Sequence, residues 1–420
     1  MCAASVPRLA TSGLCSFFLI FCSILAWGAS VSVSHVDHQA PDAKIRVFVH
    51  LAHDKDADRW KAGWLAGTLV GINDDTPYGY GRASALGCDV SFSKAHAETA
   101  IGKLVRYGAR LILGFDFVHA WRQRRELKRA DVIWTHTESQ YLAVAAVAKL
   151  TGIAAKIIGQ TVWLFDHWNT LSLPKRRLYS LLIERIDVMT FLSPANLQAA
   201  QAAFPEADMR FVPFGIPAET KIPPRVRAEE PFRVVAVGND RHRDWKTLIG
   251  AFKQQSDFAL TILSGTVPRR LVAGVPNLDV RLAKSTGELR DAYEAANVVC
   301  VPLQGNLHAS GITAIEEAVL AGVPVIASDT GGLRHYFSDR EVCYVPAGDP
   351  AALLKALLDI RNRPEEAQQM AIRAQARMGG SGLGTNEYIR NHVRISFEML
   401  RKEKILDAPK IGVQAESSPA

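Results

Sequence analysis

Cysteine is scarce in most of this 420-residue chain. Three of its six cysteines lie within the first 22 residues, which leaves Cys88, Cys300 and Cys343 for everything that follows. Three scattered thiols are too few for a disulfide framework or a metal site. The sequence therefore predicts a body suited to a reducing compartment, with no metal and no cofactor.

A strong net charge is also missing. The chain has 49 Lys and Arg against 42 Asp and Glu, a formal net charge of +7, which excludes a histone-like nucleic-acid binder but permits a basic patch that faces anionic lipid or phosphate. With 48% hydrophobic and 22% charged residues, the composition is that of a globular protein. At this length we expect two domains, each with its own core.

Long apolar runs are confined to the N-terminus. Arg8 precedes an apolar run over 14–27, and a polar stretch follows up to Pro41, a pattern typical of a signal peptide or a short membrane anchor. We predict that 1–42 is a leader: an export signal, an anchor, or the product of a start codon placed too far upstream. Because the rest suits cytosolic chemistry, we favour the last two. We expect a cytoplasmic protein, peripheral or N-terminally anchored at the inner membrane face.

Strand and helix patterns alternate twice along the chain. The first alternation, over 43–210, contains the predicted strands 44–51, 88–92, 110–113, 131–135, 155–158 and 188–192. A proline-rich linker, 211–232, separates it from a second alternation over 233–402, with predicted strands at 233–237, 259–263, 298–302 and 323–327; the tail 403–420 is predicted to be disordered. This alternation predicts two doubly wound, Rossmann-like α/β domains with a cleft between them.

Two adjacent glutamates lie inside one predicted helix of the second half. Helical side chains lean toward the N-terminus, so Glu317 can reach the loop 306–311, at the carboxyl edge where open α/β sheets bind ligands. Glu316 points about 100° away, and we expect it to complete a capping box with Thr313. The apolar stripe that predicts this helix is Ile312, Ile315 and Val319.

The second half resembles the group 1 (family 4) glycosyltransferases, which are retaining enzymes with the GT-B fold. The matching motifs, in order, are FVPFGI at 211–216, VAVG at 235–238, YEAANVVCVP at 293–302, EAVLAGVPVI at 317–326 and VPAGDP at 345–350. The resemblance implies transfer of a sugar, with retention, from a UDP- or GDP-sugar to a glycan or lipid-linked acceptor in polysaccharide or envelope glycan biosynthesis. The first half matches less, so the acceptor stays open.

The same resemblance implies a donor site. Glu317 would hold the ribose hydroxyls through charge-assisted hydrogen bonds, worth about 1.5–3 kcal/mol each. A second glutamate is usual eight residues earlier, where this chain has Ala309. We therefore expect His308, Ser310 and the Gly311 amide to hold the sugar and the diphosphate instead.

Basic residues follow the glycine turn at Gly238. Arg241, Arg243 and Lys246 are predicted to meet the diphosphate, since a basic first turn at a helix N-terminus is unfavourable unless an anion lies there. The alternative is a solvated basic surface.

The first half carries the acceptor predictions. Asp166 and His167 follow a predicted strand at the cleft edge, and we predict that they contact the acceptor or the reacting centre, with structural roles as the alternative. The loop 52–80 has little periodicity, as functional loops often do. The acceptor-binding candidates in and next to this loop are Asp74, Asp75, Tyr78 and Arg82.

A basic segment, 121–129, predicts membrane contact. Arg122, Arg125 and Arg129 fall on one helical face, which suits docking on an anionic leaflet; solvated surface is the alternative. Two rival functions remain. One is a GT-B epimerase or an inverting transferase; the other is an exported two-lobed sugar-binding protein, which needs neither diphosphate cations nor a ribose carboxylate.

Overall fold

The computed structural model describes residues 44–406 apart from 254, 276 and 381. The predicted leader and the last part of the predicted tail lie outside these residues. The strands of the first sheet are β1 (Ile45–His50), β2 (Cys88–Phe92), β3 (Val132–Thr135), β4 (Lys156–Thr161), β5 (Val188–Phe191) and β6 (Met209–Phe211). Those of the second are β7 (Phe232–Val237), β8 (Phe258–Leu263), β9 (Leu278–Arg281), β10 (Val298–Val301), β11 (Val325–Ser328) and β12 (Cys343–Val345).

Both sheets are six-stranded and their neighbouring strands pair in parallel, in the orders β2-β1-β3-β4-β5-β6 and β12-β11-β10-β7-β8-β9. In each order the chain reverses direction beside the first strand of the sheet. Ligands bind in α/β sheets at the carboxyl ends of the strands next to such a reversal. The topology therefore places one candidate edge in each domain.

Helices connect the strands. In the first half they are α1 (Ala57–Leu65), a 3₁₀ helix (Pro77–Leu86), α2 (Ala100–Leu113), α3 (Phe117–Arg122), α4 (Arg124–Arg129), α5 (Glu138–Thr151), a 3₁₀ turn (Trp168–Thr170), α6 (Leu173–Ile183) and α7 (Pro194–Ala203). In the second half they are α8 (Trp245–Phe252), α9 (Arg269–Val272), α10 (Thr286–Ala295), α11 (Ile312–Leu320), a 3₁₀ turn (Leu333–His335), α12 (Pro350–Asn362), α13 (Pro364–Gly380) and α14 (Thr385–Leu406). No helix within the described ranges is long and apolar enough to cross a bilayer.

Alternate residues of each strand enter different cores. In β1, Phe48 packs with α5 on one face, whereas Val47 and Val49 pack on the other. In β7, Val235 and Val234 divide in the same way between two clusters. Because both faces are buried, these strands are continuous apolar runs, which is why the sequence predicts most of them.

The last helix returns to the first sheet. Tyr388 and Ile389 of α14 are buried in the cluster that contains Val47 and Trp134, and the Trp134 indole donates to Ser396 Oγ at 2.9 Å. The sequence grouped 233–402 into one domain and began the tail at 403, whereas α14 packs on the first sheet and continues to Leu406. The apolar face of a helix indicates that the helix is covered by other elements, but it does not indicate which sheet the helix packs on.

The chain passes between the two sheets twice, through the linker 211–232 and again where α14 begins. These two chain crossings touch at glycines. The Thr385 amide donates to Ile216 O at 3.1 Å, and its hydroxyl donates to Gly215 O at 3.1 Å. A Cβ added at Gly215 would lie 2.4 Å from the Gly384 backbone, so this approach requires a residue without a side chain.

Several local predictions are wrong. The predicted strand 110–113 is the last turn of α2, which ends where Gly114 adopts φ 85°. The predicted loop 52–80 contains α1, none of whose residues is buried, so it has no apolar stripe to detect. The sequence also missed the short strands β6, β9 and β12, of three or four residues each.

Candidate functional site

The edge of the second sheet holds a buried guanidinium without a partner. Arg243 lies between β7 and α8 and is 7% exposed, and its Nε and Nη1 make no hydrogen bond within the described chain. A Cβ on Gly238 would lie 2.2 Å from Arg243 Nε, and one on Gly311 would lie 2.6 Å from Nη1. The two glycines thus make room for the guanidinium. Since a buried unpaired charge is costly, the arrangement is suited to an anion.

Glu317 lies beside this guanidinium. The Tyr293 hydroxyl donates to its Oε2, and the Ile72 amide donates to its Oε1, both at 3.0 Å. Burial raises the pKa of Glu317, and these bonds together with the charge of Arg243 oppose that rise. Ile72 belongs to the segment that follows α1. A ribose hydroxyl that donates to Glu317 would therefore share the carboxylate with the Ile72 amide or displace the amide from it.

The expected capping box at Glu316 is wrong. The N-cap of α11 is Gly311, so Thr313 lies inside the helix and does not cap it. Glu316 is 0% exposed, and neither of its carboxylate oxygens makes a hydrogen bond of normal geometry in the described chain. Burial and the adjacent Glu317 raise the pKa of Glu316 well above its usual range. Glu316 is thus a fully buried carboxyl group whose charged form is disfavoured, and it is not a helix cap.

A histidine between two carboxylates connects the domains. His308 Nδ1 donates to Asp166 Oδ2 at 2.5 Å, and His308 Nε2 lies 3.6 Å from Asp240 Oδ2. The Leu307 amide also donates to Asp166 Oδ1 at 2.7 Å. Burial lowers the pKa of His308, but its bonds to the two carboxylates outweigh burial and raise it overall. Asp166 of the first domain thereby holds the loop that leads into α11.

Sequence reasoning missed Asp240, on which this cluster is centred. The Trp163 indole donates to Asp240 Oδ2 at 3.3 Å, and His242 Nδ1 lies 3.1 Å from Asp240 Oδ1. Burial raises the pKa of Asp240, but the nearby His308 imidazole, the His242 amide, which donates to Oδ1 at 2.7 Å, and the nearby Ser310 side chain lower it overall. The one signal available was its place two residues after Gly238, inside a run that drew attention only for its cations.

Known proteins resemble this chain in sequence and in fold. Residues 220–363, which contain Gly238, Arg243 and Glu317, match the family described as Glycosyl transferases group 1. We refer to the second half, 233–402, as the group 1 domain because most of it lies within this match. This match confirms the resemblance seen in the sequence motifs. It covers the nucleotide side of the predicted cleft and leaves the first half outside.

One curated relative shares a short stretch with this chain. A phosphatidyl-myo-inositol mannosyltransferase from Mycobacterium leprae is 41% identical over 87 residues, which are 20% of this chain and 23% of that protein. The alignment therefore spans less than a quarter of the relative's length.

Solved structures match over both halves. Sucrose-phosphate synthase from Thermosynechococcus elongatus superposes with a TM-score of 0.65 at 18% identity, over 86% of this chain and 100% of that one. Anabaena HepE, solved in complex with UDP and glucose, has a TM-score of 0.59 at 13% identity, over 85% and 99% of the two chains. At these identities the likeness shows the fold alone, and it confirms the predicted GT-B architecture.

The other donor candidates differ in their placement. Arg241 and Lys246 are exposed, and neither forms an ion pair or a hydrogen bond with the residues that the structure describes. Ser310 is buried, and its amide donates to Asn306 Oδ1 at 3.1 Å. Of the three cations predicted at the diphosphate, the group 1 domain brings only Arg243 between the two glycines.

His167 does not join Asp166 in the cluster. It caps the 3₁₀ turn after β4, and its Nε2 is buried without a hydrogen bond to any described residue. Asp166 alone reaches the group 1 domain. Consecutive residues in a turn point in different directions, which the sequence by itself could not resolve.

The four acceptor candidates lie around the 3₁₀ helix of the first domain. Asp74 pairs with Arg82, which also contacts Glu219 and Asn386 in the two chain crossings. Tyr78 stacks on His136 at a ring separation of 3.5 Å, and burial raises the pKa of Tyr78 to about 12. Asp75 lies at the surface, 3.9 Å from Lys61 Nζ. Asp74 and Arg82 thus fasten this helix to the crossings, and an acceptor role for these residues stays a prediction.

Proposed function

We propose that this protein is a retaining glycosyltransferase that moves a sugar from a UDP- or GDP-sugar to a glycan or lipid-linked acceptor. The observation that carries the proposal is the buried Arg243 guanidinium, unpaired in the described chain and enclosed by Gly238 and Gly311. A leaving diphosphate supplies the anion that this position lacks. HepE, whose structure contains UDP, has the same fold.

The protein offers groups that complement the donor on both sides of the diphosphate. The N-terminus of α11 adds its amides and the positive end of its dipole next to Arg243. Glu317, oriented by Tyr293, offers a carboxylate that accepts from two vicinal ribose hydroxyls. A diphosphate at Arg243 and a ribose at Glu317 are adjacent, as they are in a nucleoside diphosphate.

A single-face transfer is supported by the state of the nearest carboxylates. Asp166 and Asp240 are both engaged with His308, so neither is a free general base for an inverting displacement or a free nucleophile for a covalent sugar intermediate. In the reaction we propose, the bond from the sugar to the diphosphate breaks on the face where the acceptor oxygen bonds. The acceptor proton passes to the leaving phosphate oxygen.

A membrane-borne acceptor is supported by α2. Five of its large apolar side chains are 48–81% exposed, and only Arg106 and Leu113 of this helix are buried. Lys103 and Arg110 accompany the apolar side chains and complement anionic headgroups. The exposed apolar residues are Ile101, Leu104, Val105, Tyr107 and Leu111.

We therefore propose that α2, and not the segment 121–129, contacts the membrane. Arg122 and Arg125 are exposed, but α4 has only six residues and its Arg129 pairs with Glu126. The apolar side chains on α2 give a depth of insertion that cations alone do not. The relative named as a phosphatidyl-myo-inositol mannosyltransferase acts on a lipid by its name, in agreement with such an acceptor.

Calorimetry of the full chain with UDP and GDP tests the nucleotide part of this proposal. We expect micromolar binding of one of them, and failure of both to bind would leave the sugar-binding protein as the better hypothesis. Proton NMR of the product anomer, once a donor is identified, tests retention: an inverted anomer would contradict the single-face transfer.

A further inference from the structure

Three histidines line a cavity at the edge of the first sheet, and a fourth, His96, packs against two of them. His50 ends β1, His53 follows it, His96 lies before α2, and His119 lies in α3. The cavity has a volume of about 390 Å³, and its lining includes His50, His53 and His119 together with Arg106. The proposed sugar transfer uses none of these residues.

Three of the imidazoles are spaced as ligands of one ion. The ring centres of His53, His96 and His119 are 4.6, 5.3 and 5.7 Å apart. Around a tetrahedral ion, with metal–nitrogen bonds of about 2.1 Å, imidazole centres lie roughly 5 Å apart. One ligand atom each of His53, His96 and Glu98 also lies within 4.8 Å of the other two. Binding of one ion by these groups would draw the ligand atoms together, since they lie roughly 3.4 Å apart around a tetrahedral ion.

Buried nitrogen atoms here lack partners. His119 is 1% exposed, and neither of its ring nitrogens makes a hydrogen bond of normal geometry with a described residue. His96 Nδ1 is likewise buried without such a bond. Buried imidazole nitrogens without other partners are available as metal ligands.

The carboxylate is held by a neighbouring cation. Arg106 Nε donates to Glu98 Oε1 at 2.8 Å and Nη2 donates to Oε2 at 3.0 Å, while Nη1 donates to Asp116 Oδ2 at 2.7 Å. Ligating carboxylates are usually fixed in this way by hydrogen bonds from outside the ligand set. Two carboxylates, Glu98 and Asp116, thus neutralise the Arg106 guanidinium beside the cluster.

We propose that His53, His96, His119 and Glu98 form a binding site for a divalent transition-metal ion of the Zn²⁺ class. Imidazole and carboxylate ligands suit this class. The ion would connect the end of β1, the segment before α2 and helix α3. Metal binding is therefore expected to raise the melting temperature of the protein as well.

Direct metal titration of the full chain, without a histidine tag and after chelator dialysis, tests this site. Co²⁺ reports tetrahedral coordination through its visible absorption, and Zn²⁺ affinity is measured in competition with a chromophoric chelator. The ligand variants are His53→Gln and His96→Gln, which keep polar side chains of similar size. The control variants are His335→Gln, an exposed histidine elsewhere, and His242→Gln, from a second group that could hold a metal.

We expect one Co²⁺ per chain with a tetrahedral spectrum, and an affinity at least about 100-fold lower in each ligand variant. Both control variants should bind as the wild type does, and circular dichroism should show all four variants folded. Absence of a tetrahedral Co²⁺ spectrum in the wild type overturns the proposal, as does unchanged affinity in His53→Gln and His96→Gln. Loss of the ion in His242→Gln alone would assign the metal to the other group.

Discussion

The carboxyl edges of the two sheets share an architecture and differ in their charges. At the second edge, Arg243 is buried between two glycines, and its Nε and Nη1 make no hydrogen bond with a described residue. At the first edge, Arg106 pairs with Glu98 and Asp116, and three histidines line the cavity beside it. The fold supplies the same kind of edge twice, and because of these local charges our two proposals assign an anion to the second edge and a cation to the first.

The largest effect is expected from removing the buried guanidinium of Arg243. Arg243→Gln should weaken UDP or GDP binding by about 3–5 kcal/mol, because a buried charged contact is lost while the diphosphate stays desolvated. Calorimetry measures this loss. The exposed neighbour provides the control: Arg241→Gln should change affinity by less than about 0.5 kcal/mol. Equal losses in both variants would show that the buried guanidinium has no special part in nucleotide binding.

Glu317 is the next test of the anion-binding edge. Glu317→Ala should weaken nucleotide diphosphate binding by about 2–4 kcal/mol, since it removes two charge-assisted hydrogen bonds to ribose. The fold should persist, which thermal denaturation checks. If a deoxyribose analogue binds the wild type as tightly as the ribonucleotide does, the carboxylate does not hold the ribose.

The exposed face of α2 tests whether the first domain meets a membrane. Leu104→Asp and Leu111→Asp should each lower partitioning onto anionic vesicles by about 1.5–3 kcal/mol, because each removes one buried leucine from the lipid interface. Leu358→Asp, at an exposed position of the second domain, is the matched control. Sedimentation with vesicles measures the effect, and equal partitioning of all three variants would leave α2 without this role.

His308 tests the contact between the two edges through pH. Its folded pKa is raised, so its contribution is complete below its unfolded pKa of about 6.5 and is lost as pH rises through the folded value. The pKa values of Asp166 and Asp240 are lowered, so their contributions fade as pH falls below about 4. His308→Gln should therefore destabilise the protein more at pH 6 than at pH 8.5. Chemical denaturation at both values decides this, and a pH-independent cost would contradict it.

The smallest effect concerns Glu316. Its folded pKa is raised, so the wild type loses stability as pH rises above about 4.3, where the unfolded carboxyl ionises. Glu316→Gln removes this titration and should stabilise the protein at pH 8 more than at pH 4.5, with nucleotide affinity unchanged. A destabilisation that is equal at both pH values would indicate a role in packing only.

Periodicity and composition determine much of this protein without any tertiary information. Strands buried on both faces are continuous apolar runs, so β3, β10 and β11 are evident. Motif order over 211–350 then identifies the group 1 domain and places Glu317 at a ligand-binding edge. These features are local, because each depends on residues that are neighbours along the chain.

Tertiary structure alone decides which side chains meet. Arg243, and neither Arg241 nor Lys246, lies between Gly238 and Gly311, because the turn after β7 and the start of α11 converge there. Asp166 bonds to His308, 142 residues away, and His53 meets His96 and His119 across three separate segments. Glu316 and Glu317 are adjacent in sequence, yet one is enclosed by the core and the other faces the cleft. Burial and contact depend on how distant segments pack, and no spacing along the chain records that.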